Sequence, residues 1–318
     1  MYNVMQQGID ILRKAYSDRL SFDNYGTVLL QPVVDKVMPD LVDYEHPIRM
    51  NLDHLPGAGS HALINQRSPG STPYVGVLGT DTIPVDNSSY ARVSFAYETL
   101  ATAGKVERFL QATGRNYVDV LLRETKGKVE DWYSGYECWI TKGVAAHSSL
   151  ACQIDGLQVL VPIGQQVATT NVAGGQAFTL SNMDELLDLA KSAKMIIMTR
   201  KQRRRLNGLL QAQQQFVDKT EVKGGFKVIS YNDVPIYVST EMTDTQLFNG
   251  TAVTAHTGGT ESTIFAIDTD YVYVEELTKP TSLPLAKNDS QYDAFHIFCD
   301  FVLVVSNYMR TAKLVGCK

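Results

Sequence analysis

The residue types that most often do chemistry occur in this chain, but their spacing matches no metal or catalytic motif. His46, His54 and His61 are eight and seven residues apart, which suits neither one helical face nor a zinc site, and no cysteine lies between them. We therefore interpret them as loop histidines. The four cysteines form no C-x-x-C pair, and Cys138 and Cys299 lie in apolar runs, where a cysteine behaves as a small buried hydrophobe.

Motifs for phosphate binding and nucleophilic catalysis are also missing from the sequence. No G-x-x-x-x-G-K-[ST] loop and no G-x-S-x-G turn occurs. Gly57-Ala58-Gly59 lies among prolines, without the preceding strand and following helix of a dinucleotide loop. Asp268-Thr269-Asp270 lacks the glycine of an aspartic-protease triplet and is interpreted as a turn between strands. The sequence predicts a protein that is not an enzyme and needs no cofactor; a hydrolase with an unrecognised site is the alternative from another class.

The densest cluster of positive charge is Lys201-Gln202-Arg203-Arg204-Arg205. On a helix these positions spread around most of the circumference, so they cannot all face one partner. A solvated helix face is the favoured interpretation, and salt bridges to a neighbouring subunit come next. Nucleic-acid contact is third, because no aromatic residues interleave to stack on bases.

Composition excludes several partners. The chain has 318 residues, 44% of them hydrophobic, and a net charge of −5, whereas phosphate binding needs a basic excess on some face. No apolar run approaches the ~20 residues that span a bilayer. The sequence shows no basic region followed by an apolar stretch at Met1, so we expect no secretion signal and a reducing cytosol as the compartment.

The first third of the chain is predicted to be extended. Residues 1–45 combine a short helix near Val4 to Arg19 with closely spaced prolines, as in an arm that lies on another molecule. Residues 46–105 are rich in proline and glycine, and Arg92 to Tyr97 alternates as in a strand with one covered face. We expect a long polar hairpin that packs on a neighbour, with an ordinary surface loop as the alternative.

A long helix is predicted over residues 115–137. Its apolar stripe recurs at three- and four-residue spacing and has as its expected core residues Tyr117, Leu121, Trp132 and Tyr136. We interpret Cys138 to Lys142 as a separate short apolar run that Gly143 ends.

The remainder is predicted to be a compact α/β unit followed by a β-rich tail. The α/β unit has a helix capped by Ser181 or Asn182, a loop over 246–262, and further elements at Met195–Met198, Arg200–Phe216, Phe226–Ser230 and Val234–Val238. The predicted tail strands are Thr263–Ile267, Tyr271–Glu275, Ala294–Val305 and Thr311–Val315.

This order of parts resembles the major capsid proteins of tailed bacteriophages, which have the Hong Kong 97-type fold. Several local motifs support the resemblance. Val129-Glu130-Asp131-Trp132, continuing to Trp139-Ile140-Thr141-Lys142-Gly143, resembles the family's spine helix and its glycine stop. Asp155-Gly156-Leu157 resembles the start of its axial domain. The further motifs are Thr179 to Ala190, Met195 to Arg200, Val228 to Val238, Phe301 to Val305 and Ala312 to Gly316. In the motif Val228 to Val238, Asn232-Asp233 replaces the family's usual glycine.

The resemblance implies an α+β fold with five parts. These are an N-terminal arm (1–45), an extended loop (46–105), a peripheral domain with the spine helix (106–150), an axial domain (151–270) and return strands of the peripheral domain (271–318). It also implies pentamers and hexamers that close into an icosahedral phage head around double-stranded DNA. An encapsulin-like nanocompartment shell, which shares the fold, is the alternative.

The resemblance further implies partners and contact residues. The main partner is the chain itself, and the other expected partners are a separate scaffolding protein, a portal and a possible decoration protein. The scaffolding protein is expected to be separate because residues 1–45 are too short for a built-in scaffolding segment. Packaged DNA lies near the shell without specific contact, no membrane is involved, and the protein is expected in the virion after assembly in the host cytoplasm. The residues that we expect at contacts between subunits are Arg67, Tyr74, Arg92, Arg203, Arg204 and Arg205.

Overall fold

The computed structural model describes residues 46–68, 76, 79, 87–114, 119–143, 154–212, 219–222, 226–285 and 291–318. The arm predicted over residues 1–45 lies outside these ranges, as do Tyr74 and Tyr117. Among the described residues, no helix is long and apolar enough to cross a membrane.

The helices, in chain order, are α1 (Pro47–Asn51), α2 (Arg108–Gly114), α3 (Val120–Lys142), α4 (Leu157–Leu160), α5 (Leu180–Ala190) and α6 (Arg200–Ala212). The strands are β1 (Asp53–Pro56), β2 (His61–Ser68), β3 (Ser89–Ala96), β4 (Glu98–Glu107), β5 (Gln166–Ala168), β6 (Met195–Met198), β7 (Lys219–Val222), β8 (Phe226–Tyr231), β9 (Val234–Val238), β10 (Leu247–Phe248), β11 (Val253–Ala255), β12 (Ser262–Ile267), β13 (Val272–Pro284), β14 (Tyr292–Val305) and β15 (Thr311–Cys317).

A four-stranded sheet supports the long helix α3. Its order is β1-β13-β14-β4, with β1 parallel to β13 and the other neighbours antiparallel. The strand predicted at Tyr271–Glu275 is much longer, because pairing with β14 continues from Val272 opposite Val305 to Pro284 opposite Phe295. The sequence pattern does not predict the additional residues of β13, because they include polar residues and prolines. Pairing with β14, and not a local apolar pattern, keeps them in a strand.

The helix α3 is shifted from its predicted position. It runs from Val120 to Lys142, and not from 115 to 137, because Asp119 caps it by accepting a hydrogen bond from the Leu122 N–H (3.0 Å). The run predicted as a separate apolar segment, Cys138 to Lys142, forms its last turn and ends at Gly143. At 1.5 Å per residue the helix is about 35 Å long.

The second sheet has seven strands in the order β5-β15-β12-β6-β9-β8-β7. The helices α5 and α6 cover one face, where Met183, Leu186 and Leu206 pack on Ile196 and Met198 of β6. The side chains that alternate with these, such as Met195 and Ile197, point to the opposite face and join the core beneath α3. Strand β6 is therefore buried on both faces, as its uninterrupted apolar sequence predicts.

Two local predictions in this sheet need correction. The helix α5 is capped by Thr179, and not by Ser181 or Asn182: the Thr179 hydroxyl and the Asn182 side chain each accept a hydrogen bond from the other's backbone N–H. The loop predicted over 246–262 contains the short paired strands β10 and β11.

The turn between β8 and β9 shows why glycine can be absent there. Asn232 and Asp233 both have positive φ angles, 48° and 64°. Asparagine and aspartate tolerate this left-handed conformation better than other residues with a Cβ atom. The replacement of glycine by Asn232-Asp233 therefore preserves the hairpin.

Candidate functional site

The hairpin formed by β2 and β3 has one face that packs on its own chain. The two strands are antiparallel in continuous register from His61 opposite Ala96 to Ser68 opposite Ser89. The covered hairpin face contains Ala62, Ile64 and Phe95, which pack with Val302 and Val304 of β14. It also contains Val93, which pairs with Ile64 across the two strands. At the base of the hairpin, the Tyr97 hydroxyl donates a hydrogen bond to Glu275 Oε2 (2.7 Å). The hairpin is thus anchored within the chain.

The opposite face of the hairpin points into solvent. We call it the exposed hairpin face and define it by His61, Leu63, Asn65, Arg67, Tyr90, Arg92 and Ser94. Leu63 is 58% exposed and Tyr90 is 73% exposed. Tyrosine and arginine are enriched at the cores of protein interfaces, and large apolar side chains are costly to leave in water. This composition is suited to contact with another protein.

Two of the predicted contact residues, Arg67 and Arg92, belong to the exposed hairpin face. Arg67 Nε donates to Ser88 Oγ (3.0 Å), and Arg92 Nε donates to Asn65 Oδ1 (3.2 Å). These hydrogen bonds cross from one side of the hairpin to the other and fix the direction of both guanidinium groups, while the side chains stay exposed.

The three arginines of α6 do not share one environment. Arg204 is exposed, and Arg203 lines a cleft beside α1 and α3. Arg205 turns inward: its Nε donates to the Phe178 carbonyl oxygen (3.0 Å), and its guanidinium lies 5.6 Å from the centre of the Phe178 ring. The structure therefore places Arg203, Arg204 and Arg205 in three different environments.

The apolar stripe of α3 packs on the four-stranded sheet. Trp132 is 3% exposed and Tyr136 is fully buried, whereas Leu121 is partly buried at the helix start. The Tyr136 ring lies 4.7 Å from the ring of Phe301 in β14, and Trp132 Nε1 donates to the Leu100 carbonyl oxygen of β4 (3.2 Å).

A partly buried cation completes this packing. The Arg49 guanidinium of α1 lies 4.8 to 5.9 Å from the ring centres of Trp132, Tyr133 and Tyr136, which is a cation–π arrangement. Arg49 Nη2 also donates to Glu276 Oε1 (2.9 Å).

The groups around Glu276 stabilise its ionised form. Burial alone would raise its pKa, but the hydrogen bond from His54 and the Arg49 guanidinium outweigh burial and hold the pKa of Glu276 below its usual value. His54 Nδ1 lies 3.0 Å from Glu276 Oε1. His54 lies in strand β1 and contacts Glu276 together with Arg49, so its interpretation as a loop histidine is wrong.

A second buried carboxyl, Glu137, was missed by sequence reasoning. Its Oε1 accepts a hydrogen bond from the Ile48 N–H (2.7 Å), and its Oε2 accepts one from the Ser239 hydroxyl (2.7 Å). Burial raises the pKa of Glu137 to about 7. The sequence around Glu137 gives no signal of this kind, because the two donors lie 89 and 102 residues away in the chain.

A cleft of about 820 Å³ opens beside these groups. Met50, Glu130, Tyr133, Arg203 and Tyr237 are among its lining residues, so the cleft lies between α1, α3, α6 and β9. Within the described ranges, no group of three or more histidine, cysteine, aspartate or glutamate side chains could hold a metal ion. The cleft is therefore a gap where α1, α3, α6 and β9 meet.

Comparison with solved structures identifies the fold. The chain is similar to the holo-SrpI encapsulin complex from Synechococcus elongatus PCC 7942 (TM-score 0.67, 14% identity, covering 92% of this chain and 94% of that chain). It is also similar to a structure from Mycobacterium phage Bobi (TM-score 0.63, 10% identity, 93% and 98% covered) and to the capsid of an empty GTA particle (TM-score 0.61, 13% identity, 92% and 97% covered). The predicted α+β, Hong Kong 97-type capsid fold is confirmed.

The family follows from the sequence match. Residues 100–318 match the family model of the SU10 major capsid protein, and a comparison with curated proteins gave no significant match. Because the family model covers more than half of the chain, the chain belongs to the SU10 major capsid protein family. The predicted function as a major capsid protein is confirmed: the protein is a structural component of a virion, and its copies associate into the shell.

Proposed function

We propose that this capsid protein assembles through pentamers and hexamers into an icosahedral phage head around double-stranded DNA, and that the exposed hairpin face makes the principal contact with a neighbouring copy. The observation that supports this proposal is the two-sided hairpin. One face is fixed on Val302 and Val304, while the other presents Leu63 and Tyr90 to solvent. A rigid base with an exposed apolar face suits assembly, because little conformational entropy is lost on binding.

We assign the five parts of the chain by analogy with the family. Residues 1–45 form the arm, 46–105 the extended loop, 106–150 the peripheral domain, 151–270 the axial domain and 271–318 the return strands. Strand β4, which spans Glu98–Glu107, crosses the boundary between the second and third parts and pairs with β14. The extended loop is thereby continuous with the four-stranded sheet through β4.

The proposal extends to other partners. A separate scaffolding protein, a portal and a decoration protein complete the head, assembly takes place in the host cytoplasm, and the protein has no catalytic activity. Arg203 and Arg204 of α6 contact a neighbouring subunit. We also propose Tyr74, which lies outside the described residues, as a contact residue between subunits.

An encapsulin-like shell is the second candidate, and the similarity to the SrpI encapsulin complex supports it. The family match favours the capsid. The contents of particles distinguish the two. We expect electron microscopy of the concentrated protein to show shells or capsomers, and particles made during infection to contain double-stranded DNA. A discrete small oligomer would contradict both candidates, and a protein cargo without DNA would favour the second.

We predict that mature shells contain no covalent cross-link between subunits. Some family members join a lysine of the extended loop to an asparagine of a neighbour, and this reaction needs a primary amine that can become neutral. The sequence has no lysine between Lys36 and Lys105, and the arginines there, Arg49, Arg67 and Arg92, do not supply such an amine. The same interval contains no cysteine.

A denaturing gel of boiled mature particles tests this prediction. We expect a single band near 35.2 kDa, the mass of one chain. A ladder of multimers that survives boiling with a reducing agent would contradict the prediction. A capsid protein known to cross-link, treated identically, is the positive control.

A further inference from the structure

Glu137 is a carboxyl placed where three parts of the fold meet. It lies on α3 with a fully buried side chain. One oxygen accepts from the Ile48 N–H in α1, and the other accepts from the Ser239 hydroxyl directly after β9. One side chain of α3 therefore joins this helix to α1, which leads into the hairpin, and to the end of β9 in the seven-stranded sheet. We call this arrangement the Glu137 joint.

The groups that face the joint do not neutralise a charge on it. From the start of α1, His46 Nδ1 lies 4.0 Å from Glu137 Oε2, a contact that is an ion pair only when the imidazole is protonated. Arg49 directs its guanidinium to Glu276 and to the aromatic rings of α3. Burial holds the pKa of His46 below its usual value, which favours the neutral imidazole.

A neighbouring carboxylate, Glu241, adds to the electrostatic cost of ionising Glu137. Glu241, in the segment after β9, raises the pKa of Glu137 and accepts a hydrogen bond from the Ser134 hydroxyl (2.7 Å). Glu130, two turns earlier on α3, has its Oε2 atom 3.9 Å from His46 Nε2. Across the cleft, Arg203 of α6 is the remaining charged side chain that lines this region in the described part of the chain.

We propose that the Glu137 carboxyl is a proton-dependent latch: in its neutral form it holds α1 and the Ser239 segment against α3, and its ionisation weakens the joint. A buried charge without a paired cation is costly, whereas a neutral carboxyl is not. The Ser239 hydroxyl can serve both forms, because it can donate to a carboxylate or rotate to accept from a carboxylic acid.

The direction of the pH dependence follows from the raised pKa of Glu137, about 7 against a usual value of 4.5. The closed joint holds the proton more tightly than the open joint, so the joint is most stable at low pH and loses stability as the pH rises from 4.5 to 7. Each pKa unit corresponds to about a tenfold change in the opening equilibrium, so the full interval gives a change on the order of a hundredfold.

His46 acts in the opposite direction and must be separated from Glu137. Because burial lowers its pKa, His46 costs the closed joint stability as the pH falls below 6.5. We therefore compare variants in a His46→Gln background, in which Glu137 is the buried titratable group of the joint.

Hydrogen exchange of the full chain between pH 5 and 8, corrected for the intrinsic rate of exchange, tests the latch. In peptides that cover residues 46–52, we expect protection in the His46→Gln protein to fall on the order of a hundredfold over this range. Adding Glu137→Gln, which keeps the shape but cannot ionise, should make protection independent of pH. The matched control is Glu130→Gln, an exposed position on the same helix, which should retain the pH dependence.

A second variant keeps the proposal testable if Glu137→Gln fails to fold. The Ser239 hydrogen bond lowers the pKa of Glu137, so Ser239→Ala should move the midpoint of the protection change to higher pH. A midpoint that does not move, or a pH dependence that persists in Glu137→Gln, would overturn the proposal. The latch lies within one chain, so a failure of shell assembly would leave it standing.

Discussion

Replacing Trp132 with alanine is expected to cost about 3–5 kcal/mol of unfolding free energy, the usual range for a large aromatic residue in a core. The indole is 3% exposed and packs edge-on against Tyr133 and beside Tyr136. The substitution also leaves the Leu100 carbonyl oxygen without its hydrogen bond from Nε1 and removes one aromatic face from Arg49. The cavity would lie between α3 and the four-stranded sheet, where neither element can easily collapse.

Calorimetry of the purified protein measures this effect. At the per-residue unfolding entropy typical of globular proteins, the melting temperature should fall by roughly 5–8 °C. Leu122→Ala is the matched control, because Leu122 lies on the same helix and is 53% exposed, and it should change stability by less than about 0.5 kcal/mol. Equal melting temperatures for Trp132→Ala and the parent would show that α3 does not pack as described.

Elements with a strong local pattern could be predicted from the sequence. Strand β6 is apolar at each of its four positions, and β14 alternates Ile297, Cys299 and Phe301 on one face, so both were located correctly. The turn at Asn232-Asp233 limits the hairpin to one register. These features depend on neighbours in the chain, and the order of such elements is sufficient to predict the fold.

Features that depend on distant residues could not be predicted. The position of α3 is decided by the Asp119 cap and by packing of its last turn, including Ile140, which the sequence shows only as a short apolar run. The Glu137 joint needs donors from α1 and from the segment after β9. The covered hairpin face depends on Val302 and Val304, more than two hundred residues away. No periodicity in the sequence indicates these contacts.

The covered hairpin face changes how the role of the hairpin must be tested. The sequence suggests deleting residues 62–88 and expecting a folded monomer that cannot assemble. In the structure, that deletion also removes Ala62 and Ile64 from Val302 and Val304 and so exposes part of the core. Loss of assembly could then follow from lower stability alone. A test of the exposed hairpin face must leave the covered face intact.

The variant Leu63→Glu/Tyr90→Glu meets this condition, because both side chains point away from β14. In the unassembled chain the new carboxylates stay in water, so the melting temperature should match that of the parent. At an interface they would be buried without partners, at a cost of several kcal/mol for each contact, and we expect the particle yield to fall about a hundredfold or more. Sedimentation and electron microscopy measure the yield.

A conservative double variant shows whether loss of assembly comes from the introduced charge or from any substitution at these two positions. Leu63→Met/Tyr90→Phe keeps the apolar area of the exposed hairpin face and should assemble at close to the parental yield. If Leu63→Glu/Tyr90→Glu also formed normal shells, the exposed hairpin face would not be a contact between subunits. If it lost both assembly and thermal stability, the two side chains would belong to the fold of the single chain. Only a stable chain with a specific loss of particles supports the proposed contact, since that combination requires the buried partner surface to belong to another copy.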